Sequence, residues 1–146
     1  MDTGRFVVGI DRERIKKLIS EIRNAISFIS ICSEKSFEEL TDSDKYAIRY
    51  NIIVIAEAVS AIALHICRNI YGLEPETPTH ALKLLADRSF IQRSLSEELV
   101  KIIRLRNLLV HRYWVIDDKV IYDAVKKNFR YVEEFIERVS LFVGSI

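Results

Sequence analysis

From Asp11 onward the apolar residues keep helical spacing for long distances, and almost nothing interrupts them. Ile15, Leu18, Ile19, Ile22, Ile26 and Ile29 form one such register. Tyr46, Tyr50, Ile53 and the run to Cys67 form a second. Leu99, Ile102, Ile103, Leu105 and Leu109 form a third, and Ile121, Val125, Phe129, Val132, Phe135, Ile136 and Val139 a fourth. Positions three and four apart share one face of a helix, so each register is an apolar stripe that another element must cover. The 146 residues include only four Gly and two Pro. Many short strands need more turn chemistry than that, so the pattern predicts an all-α fold. The expected architecture is an up-and-down bundle of four long helices plus a short one, in a single domain over residues 1–146 with its core at about 11–140.

Local signals place the boundaries. Asp11 is the expected cap of the first helix, which runs to about Cys32. Residues 33–40 read as a loop or short turn. Thr41 with Asp44 forms a capping box for the second helix, which stops near Tyr71 at Gly72. Thr77 followed by Pro78 opens a short third helix. Ser94 with Glu97 is expected to open the fourth, which ends between His111 and Trp114. After a turn at Asp117–Asp118 the last helix begins at about Lys119.

Composition narrows the class. Apolar residues at 49% and charged residues at 29% describe a globular chain rather than a disordered one. Lys plus Arg number 22 against 21 Asp plus Glu, so a uniformly basic nucleic-acid scaffold is excluded, while a local basic cleft is not. Tyr50 to Cys67 is nearly long enough for a membrane span but carries Asn51, Glu57, Ser60 and His65. It reads as a central helix at the middle of the fold or of a subunit contact, with no membrane. Cys32 and Cys67 lack metal-ligand spacing and read as buried free thiols of a cytoplasmic protein. No secretory signal opens the chain. Without an HExxH, a Gly-rich phosphate loop or a Cys/His cluster, neither metal nor cofactor is expected. His65 reads as a core or interface histidine, and His80 as solvated.

One segment concentrates reactive groups. Arg106, Asn107, His111, Arg112 and Tyr113 fall within eight residues at the expected end of a helix. Arginine offers a planar fork of donors to phosphate oxygens. Histidine titrates near neutrality and can move a proton. RNA carries its own nucleophile, the 2′-hydroxyl, so these groups are enough to hold and cut a phosphodiester. The same residues near a helix C-terminus also favour the macrodipole and cap carbonyls, a purely structural role. Asn107 and His111 are four apart and stack, so the amide can orient the imidazole. Arg106 and His111 are five apart, about 140° around an ideal helix. Either the helix distorts there or the site is assembled from two subunits. Arg104 lies nearly in line with His111.

The order Arg106-Asn107-x-x-x-His111-x-Tyr113 resembles the HEPN domain family, in its HepT branch. Arg49-Tyr50, Glu57-Ala58, Pro78 before the short helix, and Tyr113 through Asp117 are similar to that branch as well. The resemblance covers about residues 11–140. It implies a HEPN-like helical homodimer whose inter-subunit cleft cuts RNA without metal, with Arg106 and His111 catalytic and Asn107 and Arg112 supporting. It also implies a toxin of a toxin–antitoxin system. The partner is a minimal-nucleotidyltransferase antitoxin of the MntA type, which silences the toxin by transferring AMP to Tyr113. The sequence departs from the branch at Arg104-Leu105, where a small residue is common. Non-catalytic HEPN modules that bind nucleotide or RNA, or only dock a nucleotidyltransferase, are the alternative.

Overall fold

The computed structural model describes residues 9–144, with residues 126–128 described by backbone alone. Among the described residues five α-helices have defined bounds: α1 Arg12–Cys32, α2 Asp42–Ile70, α3 Pro78–Asp87, α4 Arg93–His111 and α5 Asp118–Val143. Two short 3-10 turns, Phe37–Glu39 and Tyr113–Val115, lie between them, and the described residues contain no strand. The fold is all-α as expected, and among the described residues it shows four long helices and a short one.

Most starts follow their capping chemistry. The Asp11 carboxylate accepts from the Arg14 N–H at 3.0 Å. Thr41 and Asp44 each accept from the other's backbone N–H, at 3.1 and 3.0 Å. Thr77 accepts from the His80 N–H at 3.0 Å, with Pro78 in the first turn. Each contact satisfies an N–H that the helix leaves unpaired. Gly72 follows α2 with φ +63, a left-handed conformation that suits glycine after a helix.

The start of α4 differs from the sequence expectation. It begins at Arg93 behind Gln92, which makes no side-chain cap, and Ser94 lies inside the first turn. The reason is tertiary. Phe90 and Ile91 are buried and anchor the preceding segment, and Ser89 turns the chain at φ +60. Ser96, the one buried polar residue among those described, donates to the Leu82 carbonyl of α3 at 3.0 Å. Packing of the α3–α4 corner sets the start in place of a serine cap.

The apolar stripes meet in one core, to which α1 contributes Ile15, Ile19, Ile22 and Ile29 and α5 contributes Val132, Phe135 and Val139. α2 touches each of the other four helices. By length and composition it could cross a membrane. Its apolarity is used instead at the centre of the bundle, where Ile52, Ile55, Val59, Ile62, Ala63 and Ile66 are almost completely buried. Cys32 and Cys67 are buried and unpaired. Burial pushes the Cys67 thiol up to about 11, which removes it from consideration as a nucleophile near neutral pH.

Candidate active site

α4 delivers the motif in its last two turns. Leu109, between the polar positions, is buried against the core. That burial fixes the rotation of the helix and leaves Asn107, Val110 and His111 outward. The helix ends at Arg112, whose N–H still bonds to the Leu108 carbonyl at 2.8 Å but whose φ/ψ of −144/47 has left the helical region. Tyr113–Val115 form a 3-10 turn, and Asp117 then caps α5 by accepting from the Lys119 N–H at 2.9 Å.

No glycine ends α4, so another group must hold the turn, and that group is Arg49 of α2. Its Nε bonds to Asp118 at 2.7 Å. Its two terminal nitrogens donate to the carbonyls of Tyr113 at 2.9 Å and Ile116 at 2.8 Å. One guanidinium thereby ties both ends of the 3-10 turn and the start of α5 to the central helix. Only a planar fork of fixed donors meets three acceptors in this way. In the sequence, Arg49 figured only in the family resemblance. Its partners are 64 to 69 residues away, a separation no periodicity reveals.

The clamped turn presents its aromatics to solvent. Tyr113 is 61% and Trp114 68% exposed, with their rings edge to face at 5.3 Å. Tyr46 and Tyr50, which flank Arg49 on α2, are also exposed. His111 and Arg112 are exposed, and neither side chain has a hydrogen-bonding or ionic partner among the described residues. Arg106 is half-buried. It donates to Asn107 Oδ1 at 3.2 Å and lies 3.8 Å from Glu57 of α2. In this structure the Asn107 amide therefore meets Arg106, and no hydrogen bond joins it to His111. At 3.8 Å and with Glu57 open to solvent, the ion pair orients Arg106 without neutralising it strongly.

α4 runs as an unbroken α-helix through His111. The distortion that could have brought Arg106 and His111 onto one face is absent, and within one chain they stay on different sides. The last turns of α4 carry three cationic side chains, Arg104, Arg106 and Arg112, and an exposed imidazole, with Arg106 on a different side of the helix from His111. Guanidinium groups can hold an anion and an imidazole can carry a proton. Among the described residues no group of three His, Cys, Asp or Glu gathers as a metal site. A cavity of about 520 Å³ beside Phe90 and Arg138 contains none of the motif residues. Another of about 520 Å³ has Arg106 and Asn107 in its wall.

Comparison with known proteins converges on one family. The profile described as ribonuclease HepT-like matches residues 13–139. The mRNA nuclease HepT of Shewanella oneidensis is 27% identical over 124 residues, 80% of this chain and 93% of that protein. The structure of a tri-AMPylated Shewanella oneidensis HEPN toxin in complex with MNT antitoxin superposes with a TM-score of 0.83 at 25% identity, covering 89% of this chain and 98% of that one. A toxin–antitoxin structure with AMP-PNP matches in fold, with a TM-score of 0.82 at 24% identity over 89% of this chain and 99% of that chain.

Proposed function

This chain belongs to the ribonuclease HepT-like family, and on that premise we propose that it is the toxin of a toxin–antitoxin pair, a homodimeric endoribonuclease that needs no metal. The observation that carries the reading is the set of half-buried Arg106 and exposed His111 and Arg112 in the last turns of α4, with Tyr113 two residues beyond the histidine. The chemistry uses the substrate's own nucleophile. His111 removes the proton from an RNA 2′-hydroxyl or delivers one to the departing 5′-oxygen. The 2′-oxygen bonds to phosphorus as the bond to the 5′-oxygen breaks. Arg106 meets the extra negative charge on the phosphorane, and Arg112 holds the neighbouring backbone. Asn107 serves as an orienting residue: it fixes Arg106 here and is one helical turn from His111 for the same service there.

Regulation follows from the same geometry. A cognate nucleotidyltransferase antitoxin transfers AMP from ATP to the Tyr113 phenol oxygen, releasing pyrophosphate. The exposure of that ring supports access by a second protein. The added phosphate puts negative charge and bulk beside Arg106 and Arg112 and competes with RNA for both.

The deciding test is RNA cleavage by the purified chain in EDTA. Cleavage that persists in EDTA and disappears in His111→Ala is the expected result. Binding without cleavage would instead make this a non-catalytic RNA- or nucleotide-binding module, and absence of both would leave only a docking partner of the nucleotidyltransferase.

A further inference from the structure

Arg106 faces two ways. Its charge belongs to the exposed surface at the end of α4, and its side chain also walls a cavity of about 520 Å³ between α2, the first turn of α3 and α4. That volume lies within the roughly 300–1,000 Å³ of small-molecule sites. Ala61, Leu64, Pro78 and Ile103 give it an apolar lining, and Glu57 and Arg106 stand in the same wall as a carboxylate and a guanidinium 3.8 Å apart. A flat apolar body with polar edges and an adjoining anion is the chemical description of a nucleotide.

We propose that this cavity is a base-binding subsite, taking the base of the RNA nucleotide next to the bond that is cut, with guanine preferred. The inference rests on the ribonuclease reading and adds a determinant of where the RNA is cut. Arg106 holds the phosphate at the mouth of the cavity, and the base attached to that phosphate enters between Ala61 and Pro78. Glu57 provides the selectivity. A carboxylate only accepts hydrogen bonds, and its two oxygens match the adjacent N1–H and N2–H donors of guanine. Adenine presents a lone pair at N1, which the carboxylate repels. The Ser60 hydroxyl already donates to the Ala56 carbonyl at 2.7 Å, so it does not compete as a donor to the base. Because Arg106 stands in the cavity wall, the base that enters it belongs to the nucleotide whose phosphate Arg106 holds.

Two measurements on the full chain test this. Amide spectra are recorded during titration with guanosine 3′-monophosphate, adenosine 3′-monophosphate and inorganic phosphate. The guanosine nucleotide should move the signals of Ala61, Leu64 and Thr79 together with Arg106 and Asn107, and phosphate should move only the latter two. Glu57→Gln should erase the preference for guanosine over adenosine. If no nucleotide moves Ala61, Leu64 or Thr79, or if Glu57→Gln keeps the preference, the proposal is overturned. The second measurement compares RNA cleavage by the parent and by Ala61→Phe, which fills the cavity. KM should rise roughly tenfold or more, as for loss of one specific contact, with kcat little changed and the base preference at the cut site lost. Parental KM and cut sites in a folded Ala61→Phe would also overturn it. A parent that binds guanosine monophosphate in the cavity but never cuts RNA would refute the ribonuclease reading while retaining the base site.

Discussion

In the proposed reaction Arg106 and His111 have different tasks, so their removal should be distinguishable. His111→Ala deletes the proton carrier, so cleavage should fall by about 10²–10⁴-fold with RNA affinity nearly intact. Arg106→Ala deletes charge stabilisation and a phosphate contact together, so kcat and affinity should both fall. Single-turnover cleavage alongside a binding titration separates the two, and a parental rate in either variant would refute the assignment. Helicity should be unchanged in both, since His111 is exposed and Arg106 makes only one hydrogen bond and one loose ion pair. Tyr113 should behave differently again. Tyr113→Phe removes the only oxygen on that ring, so incubation with the cognate nucleotidyltransferase, ATP and magnesium should leave its mass unchanged and its cleavage active. The parent should gain AMP-sized increments and fall silent. An adduct of equal mass on Tyr113→Phe would place the modification elsewhere.

At the level of elements, the turn after α4 depends on a residue of α2. Arg49→Ala should free the Tyr113 and Ile116 carbonyls and leave Asp118 without its partner. Hydrogen bonds to a charged group contribute about 1.5–3 kcal/mol each, so the amides of residues 113–117 should exchange at least tenfold faster. Arg49→Lys, with one point charge in place of a fork, should give an intermediate result. Unchanged exchange in Arg49→Ala would mean that the turn holds itself. A second tie joins α2 to the start of α1: His65 Nε2 accepts from the Asp11 N–H at 3.0 Å, which requires a neutral ring. Burial holds this imidazole below its ordinary value of 6.5, with Asp11 raising it and Arg14 lowering it further. Because the folded pKa is the lower one, the contribution to stability is complete above pH 6.5 and is lost as pH falls through 6.5 toward the folded value. Protection of the first α1 amides should therefore decline on acidification, and His65→Asn should lack that decline. The helices themselves could be read from the sequence, because their stripes and the caps at Asp11, Thr41 and Thr77 are local signals. The start of α4 could not, since buried Phe90 and Ile91 override Ser94. Of the site, the motif was readable as a string, while the Arg49 clamp, the Glu57–Arg106 approach and the cavity depend on contacts between distant helices.

For the whole molecule, the regular course of α4 keeps the proposed site from being completed within one chain. Arg106 and His111 are held about 140° apart around the helix, and among the described residues none covers the histidine. Exposed Tyr46, Tyr50, Val110 and Trp114 surround the same region, more apolar surface than a solvated catalytic face needs. The proposed two-fold partner would answer both points, by burying the aromatics and bringing its own motif to the same cleft. Sedimentation at micromolar concentration should report a dimer, and a monomer there would count against the shared cleft. The more searching test mixes two inactive variants. Neither the Arg106→Ala nor the His111→Ala homodimer should cut RNA, but a heterodimer of the two retains one intact arginine and one intact histidine on opposite protomers. Random exchange makes about half of all dimers heterodimers, each with one of two equivalent half-sites whole, so roughly a quarter of the parental rate should return. If every site drew both residues from one chain, the mixture would stay as inactive as its parts.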